Sequence, residues 1–202
     1  FLYSGVIYTI FILLTIYFIF IIKTNPIKAK QESNRIHFDT STISLCIVLG
    51  MVGFINIASA LTPELRHDSL QYHLSIPHYY ILFHRMLDVP YTIYHFYSLN
   101  MEMLYTLSLL LKNGILAKLL HAELAIFAAY GIYLIGKRYA PSPVPLLAAL
   151  LFYSLPQVAW MSSTTFNENC WMFYGVLSVM TWLTWYQSQD KHWLYLTALF
   201  CG

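Results

Sequence analysis

"TSTISLCIVLGMVGFINIASALTPELRHDSLQYHLSIPHYY", residues 40–80, carries no Asp, Glu, Lys, Arg or His through Thr62 and then packs Glu64, Arg66, His67, Asp68 and His73 into ten positions. The charge-free part matches the roughly 20 apolar residues an α-helix needs to cross hydrocarbon, where backbone groups cannot be left unpaired. The polar stretch after it reads as chain leaving a membrane.

The same reading extends along the chain. Phe1–Ile22, Tyr139–Phe166 and Asn169–Gln189 are also free of those five residue types, and Leu119–Gly136 is interrupted only by His121 and Glu123. A further apolar run starts at Trp193. The whole chain is 58% hydrophobic and 10% charged, against roughly 25% charged residues in a soluble domain. The expected fold is therefore all-α, a polytopic membrane protein with about five transmembrane helices. Its spans are expected at 1–22, 40–62, 117–136, 139–164 and 169–189, with the start of the next at 193–202. The chain begins with Phe inside one apolar run and stops inside another, so we expect an excerpt of a longer protein. Cys46, Cys170 and Cys201 lie in or beside apolar runs without a CxxC spacing, which points to packing residues rather than a disulfide or structural zinc.

Lys and Arg set the orientation, because cytoplasmic loops are enriched in them. Lys23, Lys28, Lys30 and Arg35 make 23–39 the densest cationic stretch, so that loop is expected to be cytoplasmic and the span at 40–62 to run outward. Lys137 and Arg138 follow the 117–136 span, with Gly136 as its expected C′ residue. Placing that pair inside allows one crossing between 63 and 137. The short run at 98–111, with Glu102 near its start, is then an interfacial helix in an extracytoplasmic loop covering 63–116. The turn at 165–168 emerges on the same face as Asp68. The clustered Tyr79, Tyr80, Tyr91, Tyr94, Phe96 and Tyr97 suit an aromatic belt at the interface.

Helix capping offers a plain account of both acidic positions. Asp68 with Gln71 three residues on, and Thr165 with Glu168, each fit a capping box. Five of the eight histidines, including His67 and His73, fall within 63–116, but no HxxxH or HExxH occurs.

A larger pattern gives these acids a second reading. "HDSLQYHLSIPHYY" (67–80), Pro90, "NMEMLYTL" (100–107) and "LPQVAWMSSTTFNENCWMFYGVL" (155–177) resemble the amino-terminal half of bacterial GT-C glycosyltransferases. These enzymes are related to protein O-mannosyltransferases and to aminoarabinose transferases of lipid A. The resemblance covers about residues 40–202. Ser69 stands where a second acid is usual, and Asn167-Glu168-Asn169 where an Asp is. The resemblance implies Asp68 as catalytic base and Glu168 as partner acid. Tyr72, His73, Arg66, Glu102 and Arg85 would bind substrate, the two arginines as the cations available for phosphate. Arg85 fits a snorkelling interfacial residue equally well. Asp68, Glu168, Asn167 and His67 are the candidates for holding a divalent cation, with Asn169 an alternative oxygen ligand; no other cofactor is implied. The partners would be a lipid-linked sugar donor, membrane lipid and a glycan, lipid or protein acceptor, with no nucleic acid. The location would be the inner (plasma) membrane, with the site extracytoplasmic. Two other readings stand beside it: a transporter working through Glu123 and His121, since ionisable groups inside a span are often functional, and a non-catalytic membrane protein whose acids are caps.

Overall fold

The computed structural model describes Thr9 and residues 39–202; the expected span 1–22 and the loop at 23–38, Thr9 aside, lie outside the described residues. Among the described residues the fold is all-α, with eight α-helices and no strand. α1 (Thr40–Ala60) starts at Asp39, whose carboxylate accepts the Thr42 N–H at 3.0 Å and a bond from the Ser41 hydroxyl. These bonds hold the Asp39 carboxyl down at about 2. Only Thr42, Asn56 and Ala60 of α1 are buried, while Ile43, Ile47, Met51, Phe54 and Ile55 are exposed.

α4 (Gly114–Tyr139) is longer than expected at both ends. Asn113 caps it by accepting the Leu116 N–H at 3.3 Å, and Gly136, the expected C′ residue, lies inside the helix. Gly136 serves packing instead: a Cβ there would come within 3.1 Å of the Pro145 Cα, and one on Gly131 within 2.5 Å of Val176. Small residues let neighbouring backbones approach in this way. α1 and α4 are the two described helices long and apolar enough to cross a membrane, with mean hydropathies of 2.2 and 1.6. At 1.5 Å per residue they measure about 30 and 40 Å, against a hydrocarbon core of about 30 Å.

The expected continuous span at 139–164 does not form. The chain makes α5 (Val144–Tyr153) and then α6 (Pro156–Met161), with Leu155 extended at φ −55°, ψ 130° between them. Proline disfavours helical backbone in the residue before it, so Pro156 ends one helix and begins the next. α5 alone is about 15 Å long. α7 (Glu168–Ser188) has the length of a span, but its Trp, Tyr, Ser and Thr content leaves it outside the apolar pair. Gln189 ends it in the left-handed region at φ 57°. α8 (Lys191–Cys201) starts two residues before the expected Trp193 and turns back on α7, where the Thr197 hydroxyl donates to that of Thr181 at 3.0 Å.

Between α1 and α4 the chain forms a π-helical turn (Ser69–His73), α2 (Ser75–Leu82), a 3₁₀ turn (Tyr94–Phe96) and α3 (Asn100–Leu111). α3 is about 18 Å long, too short to cross. Two contacts fix α1 and α4 as antiparallel. Lys118, in the second turn of α4, donates to the Thr62 carbonyl at 2.8 Å just past the end of α1. At the opposite end, the Thr42 and Ser142 hydroxyls lie 3.3 Å apart. The ends of α1 and α6 and the starts of α4 and α7 therefore gather at one end of the bundle, and Lys137 and Arg138 at the other.

Candidate functional site

The polar stretch after α1 is tied down by Glu64. Its Oε1 accepts the N–H groups of Leu65 and Arg66, each at 2.9 Å. Its Oε2 accepts from the Thr165 N–H at 3.0 Å and, at 3.4 Å, from the Thr165 hydroxyl. One carboxylate thus joins segments about a hundred residues apart. Above it, the Arg66 guanidinium sits 5.0 Å from the Trp160 ring centroid, a cation–π distance.

Neither expected capping box exists. Asp68 is already helical (φ −62°, ψ −39°) and makes no side-chain cap bond, because the helical turn begins at His67. Thr165 spends its hydroxyl on Glu64, and the residue before α7 is Asn167, which makes no side-chain cap bond either. The Glu168 carboxylate accepts the Asn167 N–H at 3.1 Å. Asp68 is left exposed and Glu168 half-buried.

The chain then widens into the π-helical turn, closed by the Leu74 N–H on the Ser69 carbonyl at 2.9 Å. Such widened turns are frequent at functional sites. This one carries His73 inward, where its Nδ1 lies 2.6 Å from Glu102 Oε1 with each side chain 3% exposed. The separation is that of a charge-assisted hydrogen bond. The other oxygen, Glu102 Oε2, is buried and has no hydrogen-bond partner. Tyr72 stays half-buried, 4.1 Å from the His73 ring and stacked at 4.1 Å on Tyr94. Burial first, then the negative charge of Asp68, with further contributions from Tyr94, Glu168 and Glu102, pushes its phenol up to about 12. Three carboxylates from three segments therefore act on one neutral hydroxyl.

The turn from 162 to 167 is held from below. The Tyr105 hydroxyl donates to the Phe166 carbonyl, and burial raises the Tyr105 phenol well above its usual value. His121, fully buried, has Nδ1 3.0 Å from the carbonyls of both Met161 and Thr164, while its Nε2 accepts the Asn169 N–H at 3.2 Å. The Asn169 side chain donates to the His121 carbonyl and to Ser162. The Asn169 amide nitrogen is thus committed to the turn, while its Oδ1 is buried without a hydrogen-bond partner. The His121 ring clamps the turn, whereas Glu123 is exposed on another face of α4.

Of the expected site residues, the structure pairs His73 with Glu102 and sets Tyr72 against the His73 ring, the charges of Asp68 and Glu168 reach the Tyr72 phenol, and Arg66 lies over Trp160. Arg85 is exposed just past α2 and is not among the groups acting on Tyr72. Among the described residues no three His, Cys, Asp or Glu side chains gather to hold a metal ion. Asp68, Glu168 and His67 accordingly do not form a ligand triad, and Asn167 contributes its backbone rather than its side chain to Glu168. The chemistry these side chains supply by themselves is that of the carboxylates, the phenol and the guanidinium. Sequence reasoning missed Glu64, Tyr105 and Lys118. Glu64 alone had a local signal, a carboxylate directly after Thr-Pro at the end of a span.

Compared with known protein families, curated proteins and solved structures, the chain matches none. The fold and the site define its class as an all-α protein with two candidate membrane-spanning helices and a carboxylate-rich cluster at one end of them.

Proposed function

We propose that the chain is an integral-membrane glycosyltransferase that moves a sugar from a polyprenyl-phosphate donor to an acceptor hydroxyl on the extracytoplasmic face. The observation that carries this reading is that the stretch bearing Asp68 and the turn before Glu168 are joined by the Glu64–Thr165 hydrogen bonds at one end of the bundle, with the charge of both acids reaching the Tyr72 phenol. The GT-C resemblance names the same two acids. The gathering of Lys137 and Arg138 at the opposite end supports the outward placing, since basic residues mark the cytoplasmic side.

Asp68 takes the proton of the acceptor hydroxyl as its oxygen bonds to the anomeric carbon. The bond from that carbon to the phosphate oxygen breaks, and the lipid phosphate leaves with the electron pair beside Arg66. Glu168 faces the positive charge that builds on the sugar ring in such transition states. Tyr72, with its phenol held up to about 12, stays protonated at neutral pH, so it donates a hydrogen bond and leaves the base role to a carboxylate. The buried His73–Glu102 pair fixes the turn that carries Tyr72.

The test is transfer from radiolabelled polyprenyl-phosphate sugars by the full-length protein. Asp68→Asn, an exposed and near-isosteric change, should lower transfer by about 100-fold or more, the usual contribution of a general base, while leaving the melting temperature unchanged. Equal transfer by Asp68→Asn and wild type would remove Asp68 from this role.

A further inference from the structure

A cavity of about 740 Å³ lies between α1, α4 and α5, away from the Asp68 cluster. That volume is within the range of about 300–1,000 Å³ typical of small-molecule sites. Along α1 it runs from Thr42 past Cys46 and Leu49 to Gly53, and along α4 from Lys137 past Tyr133 to Ile126. Each wall is twelve residues long, eleven helical rises from end to end, so the cavity is a slot of about 16 Å parallel to the helix axes.

The slot has two chemically different ends. At one, Lys137 is exposed with its ammonium 5.7 Å from the Tyr133 ring centroid, and the Thr42 and Ser142 hydroxyls lie 3.3 Å apart. These groups suit an anion. The other end is apolar apart from Tyr153, which is 2% exposed and whose hydroxyl has no hydrogen-bond partner. Asn56 Nδ2, buried beside it, also lacks a hydrogen bond: the two side chains are close enough to influence each other but do not meet in hydrogen-bonding geometry. Along the α4 wall, Tyr130 in the middle and Ile126 at the far end are both exposed. An elongated apolar slot between two helices fit to cross a membrane, with a cation and two hydroxyls at its mouth, matches an amphiphile with an anionic head.

We propose that this slot holds one acyl chain of an anionic phospholipid, its phosphate at Lys137, Thr42 and Ser142. The proposal is independent of glycosyl transfer, since the slot and the Asp68 cluster share no residue.

The full-length protein is reconstituted in vesicles containing phosphatidylglycerol with a photoactivatable acyl chain, and separately in vesicles with the matching phosphatidylcholine. After illumination, adducts are mapped by peptide mass spectrometry. Wild type should give adducts on 42–53 and 126–137, and more of them from phosphatidylglycerol. Lys137→Gln, a surface change, should lower the phosphatidylglycerol yield about tenfold, the loss of one hydrogen bond to a charged group. Gly53→Leu, whose Cβ meets Tyr153 at an ordinary 3.8 Å, should fill the slot and suppress adducts from both lipids without lowering the melting temperature. Equal yields from the two lipids in wild type, indicating annular lipid only, would overturn the proposal. So would adducts unchanged by Gly53→Leu, or an absence of adducts on both segments, as when another part of the chain fills the slot.

Discussion

Glu102 and His73 show how a single buried pair constrains the site. Taking one partner from a buried hydrogen-bonded pair leaves the other polar group unsatisfied and costs about 1–3 kcal/mol, whereas replacing both with apolar residues of similar size can be nearly neutral. Glu102→Leu alone should therefore lower the melting temperature strongly, and the double variant Glu102→Leu with His73→Phe should recover most of the loss. Additive losses in thermal denaturation would show that the two do not act as a pair. Tyr72 makes a second prediction. Its folded-state pKa of about 12 lies above the ordinary 10, so the folded state holds this proton longer than the unfolded one. The resulting stability is complete below pH 10 and is lost as pH rises toward 12. In an absorbance titration of phenolate, Tyr72→Phe should remove a component near pH 12. Asp68→Asn should move that component down only part of the way, because burial is the larger cause. Of these residues, Asp68, Tyr72, His73, Glu102 and Glu168 were legible as chemistry-bearing positions in the sequence. Their contacts were not, since His73 meets Glu102 across 29 positions. Asp68 and Thr165 were misread as caps because a capping box is a local pattern, whereas the partner of Thr165 is Glu64, 101 residues away.

At the scale of elements, proline and small residues decided where helices begin and end. The run 139–166 looks continuous to a count of apolar residues, yet Pro156 divides it. Its break lets the 162–167 turn reach Glu64, Tyr105 and His121. α1 and α4 were legible almost to their ends, because the apolar run is unbroken in α1 and long enough in α4 to outweigh His121 and Glu123. Gly136 was misjudged because its role is close packing against Pro145, which no single-helix rule reveals. Glu64 is the bolt between two elements, so Glu64→Ala should free both the 61–66 stretch and the 162–167 turn. Hydrogen exchange should then rise at Leu65, Arg66 and Thr165 together, while exchange in the middle of α4 stays as in wild type. A rise confined to Leu65 and Arg66 would mean that the Thr165 contact contributes nothing.

For the whole molecule, the antiparallel arrangement of α1 and α4 sorts the ionisable groups. Lys118 and the carboxylate cluster lie at one end, and Lys137 and Arg138 at the other. The charge map foresaw Asp68 and Glu168 opposite Lys137 and Arg138, because cytoplasmic loops collect Lys and Arg, but not the place of Lys118, whose partner is the Thr62 carbonyl 56 residues away. The central claim, that Asp68 and Glu168 share one face of a membrane, is tested most directly by single cysteines. Placed at 68, 168 or 138 in a chain with Cys46, Cys170 and Cys201 replaced by Ala, they are exposed to a membrane-impermeant maleimide in right-side-out vesicles. Positions 68 and 168 should label from outside and position 138 only after the vesicles are opened. Labelling of 68 and 168 from opposite faces would contradict the account.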